Sequence, residues 1–195
     1  MTYCLFDDMT QCTEQEVARL LPLVSDQRRQ QALAYKHLFG QFCCLKSYEL
    51  LVQLLASSGL WTPDTGFPTF FYNEHGAPYL EHGPCFSISH CKHGIAVAVS
   101  EKPIGIDIEH IRTAKPELVA RTMNEKEQNV ICSAPSPDVA FTRLWTQKEA
   151  VLKMQGTGIF SIDGMKNTLV AIEHIDLQTK VNIEKQYAYT LAVLR

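Results

Sequence analysis

No apolar stretch of this 195-residue chain approaches bilayer length, and Asp7 and Asp8 stand where the apolar core of a signal peptide would run. Neither a membrane span nor an export signal is expected, and the implied location is the cytoplasm. Cys-x-x-Cys pairs are absent as well. The seven cysteines are an odd number, which argues against a zinc ribbon or a complete disulfide framework and leaves reduced, mostly packed thiols. Basic charge is not in excess: 18 Lys and Arg against 21 Asp and Glu leave a net charge of −3. A general nucleic-acid binder would show a basic patch or stripe instead. The composition of a disordered chain is also missing. With 46% hydrophobic and 20% charged residues, the chain is long enough to bury a substantial core.

Periodicity predicts a strand at residues 2–6 and a helical run from Ser25 to Ala56, weakened at Gly40 and stopped by Ser57, Ser58 and Gly59. Prolines and glycines between Trp61 and Pro84 predict an irregular connection with short extended pieces. Strands follow at 85–89, 94–100 and 104–109. The second half repeats the plan, with helices at about 116–121, 124–132 and 137–153 and strands near 168–173, 179–184 and 187–194. Helices followed by antiparallel strands, twice over, predict an α+β fold in two similar lobes. The boundary falls near Glu101 to Pro103, giving lobes of residues 1–102 and 103–195.

The chemistry is concentrated in two segments. In IGIDIE at 104–109, Ile104, Ile106 and Ile108 alternate with Gly105, Asp107 and Glu109, so the two carboxylates share one face of a strand. Side by side they repel unless a cation sits between them, and such oxygen ligands suit Mg²⁺ or Mn²⁺. A solvated acidic face is the plain alternative. In WTQKEAVLK at 145–153, Phe141, Leu144, Trp145 and Leu152 form an apolar stripe at helical spacing, and Glu149 and Lys153 share another face. By spacing alone these two are an exposed ion pair. Taken together, the segments supply carboxylates for a metal and ammonium groups for phosphate oxygens, the parts list of phosphoryl-group transfer.

Three smaller features have structural readings of their own. Asn124 with Glu127 three residues on has the spacing of a capping box. GAPY at 76–79 is a turn by composition. His90 ends a strand and, taken alone, is a core or edge residue.

The order and spacing of GAPY, FSISH at 86–90, IGIDIE, NEKE at 124–127, WTQKEAVLK and GTGI at 156–159 resemble the 4′-phosphopantetheinyl transferases, in the larger, pseudo-dimeric type similar to the surfactin-synthetase activator. The resemblance covers residues 72–160 well. It implies a two-lobed fold with the active site between the lobes, coenzyme A as donor, and an acyl- or peptidyl-carrier protein as acceptor. It implies Mg²⁺, with Mn²⁺ as an alternative, on Asp107, Glu109 and Glu149. Ser89 and His90 would contact the phosphates of coenzyme A, Lys148 and Lys153 would neutralise phosphate oxygens, and the turn of Gly76, Pro78 and Tyr79 would lie beside the adenine. Family members often carry a lysine where this chain has Ala77. For the 3′-phosphate the basic residues Arg28, Arg29, Lys36, His37 and Lys46 are available, and anchoring on Gly40 selects Lys36. Glu149 is the first choice to accept the serine proton, with Lys153 assisting and Glu127 as a further contributor. Met123 and Phe160 are candidates to dock the carrier, and two internal lobes make a monomer sufficient.

Two other classes compete. A non-catalytic coenzyme A or carrier-protein binding module is kept open by Ala77 and the unmatched basic helix. A Mg²⁺-dependent nuclease would also use strand carboxylates and a lysine, but would need the basic groove this composition lacks.

Overall fold

The computed structural model of the protein describes residues 1–62, 66–157 and 163–195. In chain order it contains β1 (Thr2–Phe6), α1 (Glu14–Leu20), α2 (Asp26–Leu33), α3 (Leu38–Ser57), β2 (Phe70–Tyr72), β3 (Pro78–Leu80), β4 (Cys85–Cys91) and β5 (Gly94–Ser100). Then come β6 (Ile104–His110), α4 (Pro116–Thr122), α5 (Glu125–Ser133), α6 (Pro137–Gln155), β7 (Ile175–Asn182) and β8 (Tyr187–Leu194). The class is α+β, as the sequence predicts. Two antiparallel sheets carry the fold, ordered β1-β5-β4 and β6-β8-β7, and β2 pairs with β3 in a separate ribbon. Every strand of the first sheet precedes Lys102 and every strand of the second follows it.

Alternation along the strands decides what packs where. In β5, Ile95, Val97 and Val99 join Phe42, Leu45, Leu51 and Leu55 of α3 in one core. The intervening Ala96 and Ala98 join Ile106 and Ile108 of β6 and Leu191 of β8 in a second core between the sheets. Side chains of opposite parity leave a strand on opposite faces, so Gly105, Asp107 and Glu109 of β6 are turned away from this second core. Ala150, Val151 and Met154 of α6 pack with Ile175 and Ala192 of the second sheet. A Cβ on Gly105 would overlap the backbone of Ala150 and Met154; the glycine therefore lets α6 lie directly on β6.

Helix ends follow local chemistry. The Thr13 hydroxyl accepts from Glu16 N at 3.2 Å and the Ser25 hydroxyl from Arg28 N at 3.2 Å, satisfying amides that the first turn leaves without a partner. Asn124 and Glu127 form the capping box that their spacing predicts. Gly156 ends α6 in the left-handed conformation, φ +68°, where a glycine is least strained.

The structure differs from the sequence reading at four places. The run from Ser25 to Ala56 is two helices, broken between Leu33 and Leu38. The break lets Tyr35 fold back over α3, where a Cβ on Gly40 would stand 2.6 Å from the Tyr35 ring. Helix α1 was not anticipated. The strand expected at 168–173 does not form: Ala171 has φ +57°, which extended backbone cannot accommodate, and the apolar Leu169 and Ile172 of this run instead pack from a turn against the α6 core. Met123, a docking candidate, is fully buried beside Phe141 and Trp145, while Phe160 and the last two residues of GTGI lie outside the described residues. All seven cysteines are free thiols, and Cys132 alone is exposed. Among the described residues no helix is long and apolar enough to cross a membrane.

Candidate active site

Because α6 lies against the face of β6 that carries Asp107 and Glu109, Glu149 on α6 meets both. One carboxylate oxygen from each of the three residues lies within 4.8 Å of the others. Asp107 is 1% exposed. Its Oδ1 accepts from Lys153 Nζ at 2.7 Å and from Ser89 Oγ at 2.7 Å, and Lys153 also donates to Ser89 Oγ at 2.8 Å. Its Oδ2 is buried with no hydrogen-bond partner among the described residues. Glu109 pairs with Arg112 at 2.7 Å, and Glu149 Oε1 accepts from the Trp145 indole at 2.6 Å.

The electrostatics of the cluster are those of crowded like charges. Burial, and then the charge of Asp107, push the Glu109 carboxyl above its ordinary range despite Arg112. Burial also dominates at Glu149, followed by Asp107; Lys153 opposes them and Glu109 adds to them, and the carboxyl is pushed up to about 7. Three converging carboxylates, one with an orphaned buried oxygen, are the donor set of a hard divalent cation such as Mg²⁺ or Mn²⁺.

These groups line a cleft of about 350 Å³ whose other walls include Arg28, Tyr35, Phe70, Pro78, Ser89 and His90. Arg28 is 9% exposed. Its guanidinium donates to the Cys44 carbonyl at 3.0 Å, Gln31 Oε1 at 2.8 Å and Ser47 Oγ at 2.9 Å and lies 5.2 Å over the Phe70 ring. Its hydrogen-bond partners among the described residues are all neutral, so a buried positive charge faces the cleft without a carboxylate. His90 keeps a solvent-exposed edge and stands edge-on to Phe39. The surrounding protein, and next the positive charge of Lys153, hold its imidazole below the ordinary range.

The turn at 73–77 forms the adjoining rim. Gly76 has φ +76°, and Asn73 Oδ1 accepts from His75 N and Ala77 N at 2.9 Å each. Asn73 Nδ2 donates to the Gly156 carbonyl at 2.9 Å, tying this turn to the end of α6. Pro78 lines the carboxylate cleft. Tyr79 is turned toward Phe71, 5.7 Å between ring centroids, and lines a neighbouring hollow with Lys153 and Gly156.

Of the residues singled out in the sequence, Gly76 and Tyr79 line neighbouring hollows instead of this cleft, and Lys36, Lys148 and Glu127 do not reach it. Lys36 is exposed in the α2–α3 connection and absent from the wall; Arg28, also basic and upstream, is there instead. Its signal was the Ser25 cap, which puts Arg28 in the first turn of a helix with the buried Ala32 four residues on. Lys148 is fully buried, 2.9 Å from Glu127, and donates to the Met165 and Lys166 carbonyls at 2.8 and 3.1 Å. Burial pulls its ammonium below the ordinary range, with Glu127 opposing. Glu127 is spent on the capping box and this pair: its Oε2 accepts from Asn124 N at 2.8 Å.

Comparison with known proteins bears on the same residues. The family model described as the 4′-phosphopantetheinyl transferase superfamily matches residues 103–192. A 4′-phosphopantetheinyl transferase of Bacillus subtilis is 28% identical over 169 residues, covering 84% of this chain and 74% of the relative. The 4′-phosphopantetheinyl transferase gsp of Aneurinibacillus migulanus is 32% identical over 129 residues, covering 65% of this chain and 51% of its own length. The 4′-phosphopantetheinyl transferase Sfp of Bacillus subtilis is 25% identical over 194 residues, 93% of this chain and 86% of the relative. The acidic strand, the α6 motif and the cleft between them lie inside or beside the matched region, and through them the chain is similar to the 4′-phosphopantetheinyl transferase superfamily of enzymes.

Proposed function

We propose that the protein moves the 4′-phosphopantetheine group of coenzyme A onto a serine of an acyl- or peptidyl-carrier protein and releases 3′,5′-adenosine diphosphate. The observation that carries this reading is the meeting of Asp107, Glu109 and Glu149 within 4.8 Å in a cleft whose wall also presents Arg28, a cation with only neutral hydrogen-bond partners among the described residues. A donor with a diphosphate near its middle and a further phosphate at its far end has the charge distribution this cleft accommodates. Residues 1–102 and 103–195 are read as two lobes with the reaction at their junction. The seven free thiols suit a reducing, cytoplasmic setting. A monomer suffices for this arrangement.

Asp107, Glu109 and Glu149 would hold Mg²⁺ or Mn²⁺, which supplies charge neutralisation for the diphosphate. Lys153, 2.7 Å from Asp107, donates to phosphate oxygens from the carboxylate side. His90 donates from the β4 side, where Ser89 gives its one proton to Asp107 and so orients that carboxylate, and Arg28 takes the distal phosphate with its fork of donors. The serine Oγ forms a bond to the β-phosphorus while the bond from that phosphorus to the bridging oxygen breaks, and the bond electrons leave with 3′,5′-adenosine diphosphate. The serine proton goes to Glu149 Oε2, since Oε1 is held by Trp145. Positioning and charge stabilisation do most of the work in such transfers.

The test is the intact mass of an apo carrier protein after incubation with this protein, coenzyme A and Mg²⁺, with and without EDTA. A gain of one phosphopantetheine that EDTA prevents is the expected result. Coenzyme A binding without any gain on several unrelated carriers would overturn transfer in favour of a binding module.

A further inference from the structure

Three carboxylates within 4.8 Å repel one another, and each is restrained by a different neighbour. Asp107 is held through Oδ1 by Lys153 and Ser89. Glu109 Oε2 is held by Arg112 Nη2 at 2.7 Å, and Glu149 Oε1 by Trp145 Nε1 at 2.6 Å.

The last two restraints are one unit. The Arg112 guanidinium lies 5.0 Å over the Trp145 ring, a favourable cation–π placement. The Arg112 backbone amide donates to Thr142 Oγ1 at 3.1 Å, fixing the start of this side chain one turn before Trp145 on α6. Glu109, Arg112, Trp145 and Glu149 therefore form a continuous chain of contacts from the end of β6 to the middle of α6. The Arg112 Nε is buried with no hydrogen-bond partner among the described residues. Its half-buried guanidinium is placed by the ring and by Glu109 together.

We propose that Arg112 is a positioning residue for the divalent cation: directly through Glu109, and through Trp145 to Glu149, it sets where two of the three ligand carboxylates stand. This rests on reading the cluster as a metal site, which the orphaned, buried Asp107 Oδ2 supports independently of the number of acidic groups. Groups that hydrogen-bond to metal-ligating carboxylates orient them, and their loss commonly weakens metal binding roughly 10- to 100-fold. The competing account makes Arg112 only a cation that neutralises the cluster, and its removal would then tighten metal binding. Lysine separates the two accounts, because it keeps the charge and loses both the planar stack and the forked donor geometry.

The experiment is Mn²⁺ titration of the full-length, metal-free protein, without coenzyme A or carrier, reading free Mn²⁺ by electron paramagnetic resonance. Arg112→Lys and Arg112→Ala are each expected to weaken binding by about tenfold or more. Trp145→Phe, which keeps a ring under the guanidinium and removes the indole donor, is expected to do the same. In the Arg112→Ala, Trp145→Phe double variant the combined loss should fall short of the product of the single losses, as for residues acting as one unit. Thermal melts in EDTA establish folding; should Arg112→Ala fail to fold, Arg112→Lys and Trp145→Phe decide by the same criteria. Wild-type affinity in Arg112→Lys, or tighter binding by Arg112→Ala, would overturn the positioning role while leaving the metal site standing. A wild-type protein that binds no Mn²⁺ at millimolar concentration would overturn the site and the role together.

Discussion

Glu149 is held out of its ordinary charge state by its surroundings. In the folded, metal-free protein its carboxyl is pushed up to about 7 by burial, by Asp107 and, against Lys153, by Glu109, whereas in the unfolded chain it ionises in the usual range. The folded state thus keeps a proton that the unfolded state loses. Its stability contribution is whole below the unfolded pKa and is lost as pH rises through the folded one. At roughly 1.4 kcal/mol per pKa unit, the loss is on the order of a few kcal/mol between about pH 5 and about pH 7. Denaturant midpoints in EDTA should fall across this window for the wild type. For Glu149→Gln they should fall less, leaving that variant the more stable at neutral pH; equal slopes would mean that the carboxyl is not raised. At this scale Asp107, Glu109, Glu149 and Lys153 were readable, because period two and the i, i+4 spacing fix relative direction on a strand or helix whatever surrounds it. Lys148 was not, although it adjoins Glu149: successive helical residues point about 100° apart, so it enters the buried side and meets Glu127. Lys36 stands exposed while Arg28 lines the cleft, because the run that contains both is broken between Leu33 and Leu38.

Elements were legible where their own residues decide them and illegible where packing does. Strands β4, β5 and β6 and the caps of α5 and α6 follow from alternation, Asn124 and Gly156. The break between α2 and α3 depends on Tyr35 finding the space that Gly40 leaves, and the apolar run at 168–173 looks like a strand until the α6 surface it covers is known. Gly105 is the element-level counterpart of the carboxylate cluster. It is needed for space, since a Cβ there would overlap the Ala150 carbonyl oxygen. Gly105→Ala must push β6 away from α6, at a cost of about 1–3 kcal/mol or more, the usual range for overpacking. It also carries Asp107 and Glu109 away from Glu149. A lowered denaturation midpoint together with weakened Mn²⁺ binding is the expected outcome. Wild-type values for both would mean that the close approach of helix and strand does not set the cluster.

Across the whole molecule, the repeat of helix and strand in the two halves can be read from hydrophobic period. How the halves meet cannot, because the ties between them join side chains to groups far away in sequence. Ser87 Oγ accepts from Ile106 N at 3.0 Å, Ser89 donates to Asp107, and Asn73 reaches Gly156 across 83 positions. Asn73 offers the sharpest test, because its two ends do separate jobs. Oδ1 must accept from the amides of His75 and Ala77, which leaves Nδ2 as the donor to the Gly156 carbonyl. Asn73→Asp keeps the first job and abolishes the second. A single partly exposed hydrogen bond is worth about 1 kcal/mol, so the fold should survive with a small loss of stability. The rim bearing Pro78 would no longer be tied to the helix bearing Glu149 and Lys153. Under the proposed function, the KM for coenzyme A should therefore rise more than kcat falls, because the donor spans both sides of the tie whereas the carboxylate cluster lies on one. A fall in kcat alone would mean that Asn73 acts on the carboxylate side, and unchanged kinetics would mean that the two halves are held in register by the β4–β6 contacts without it.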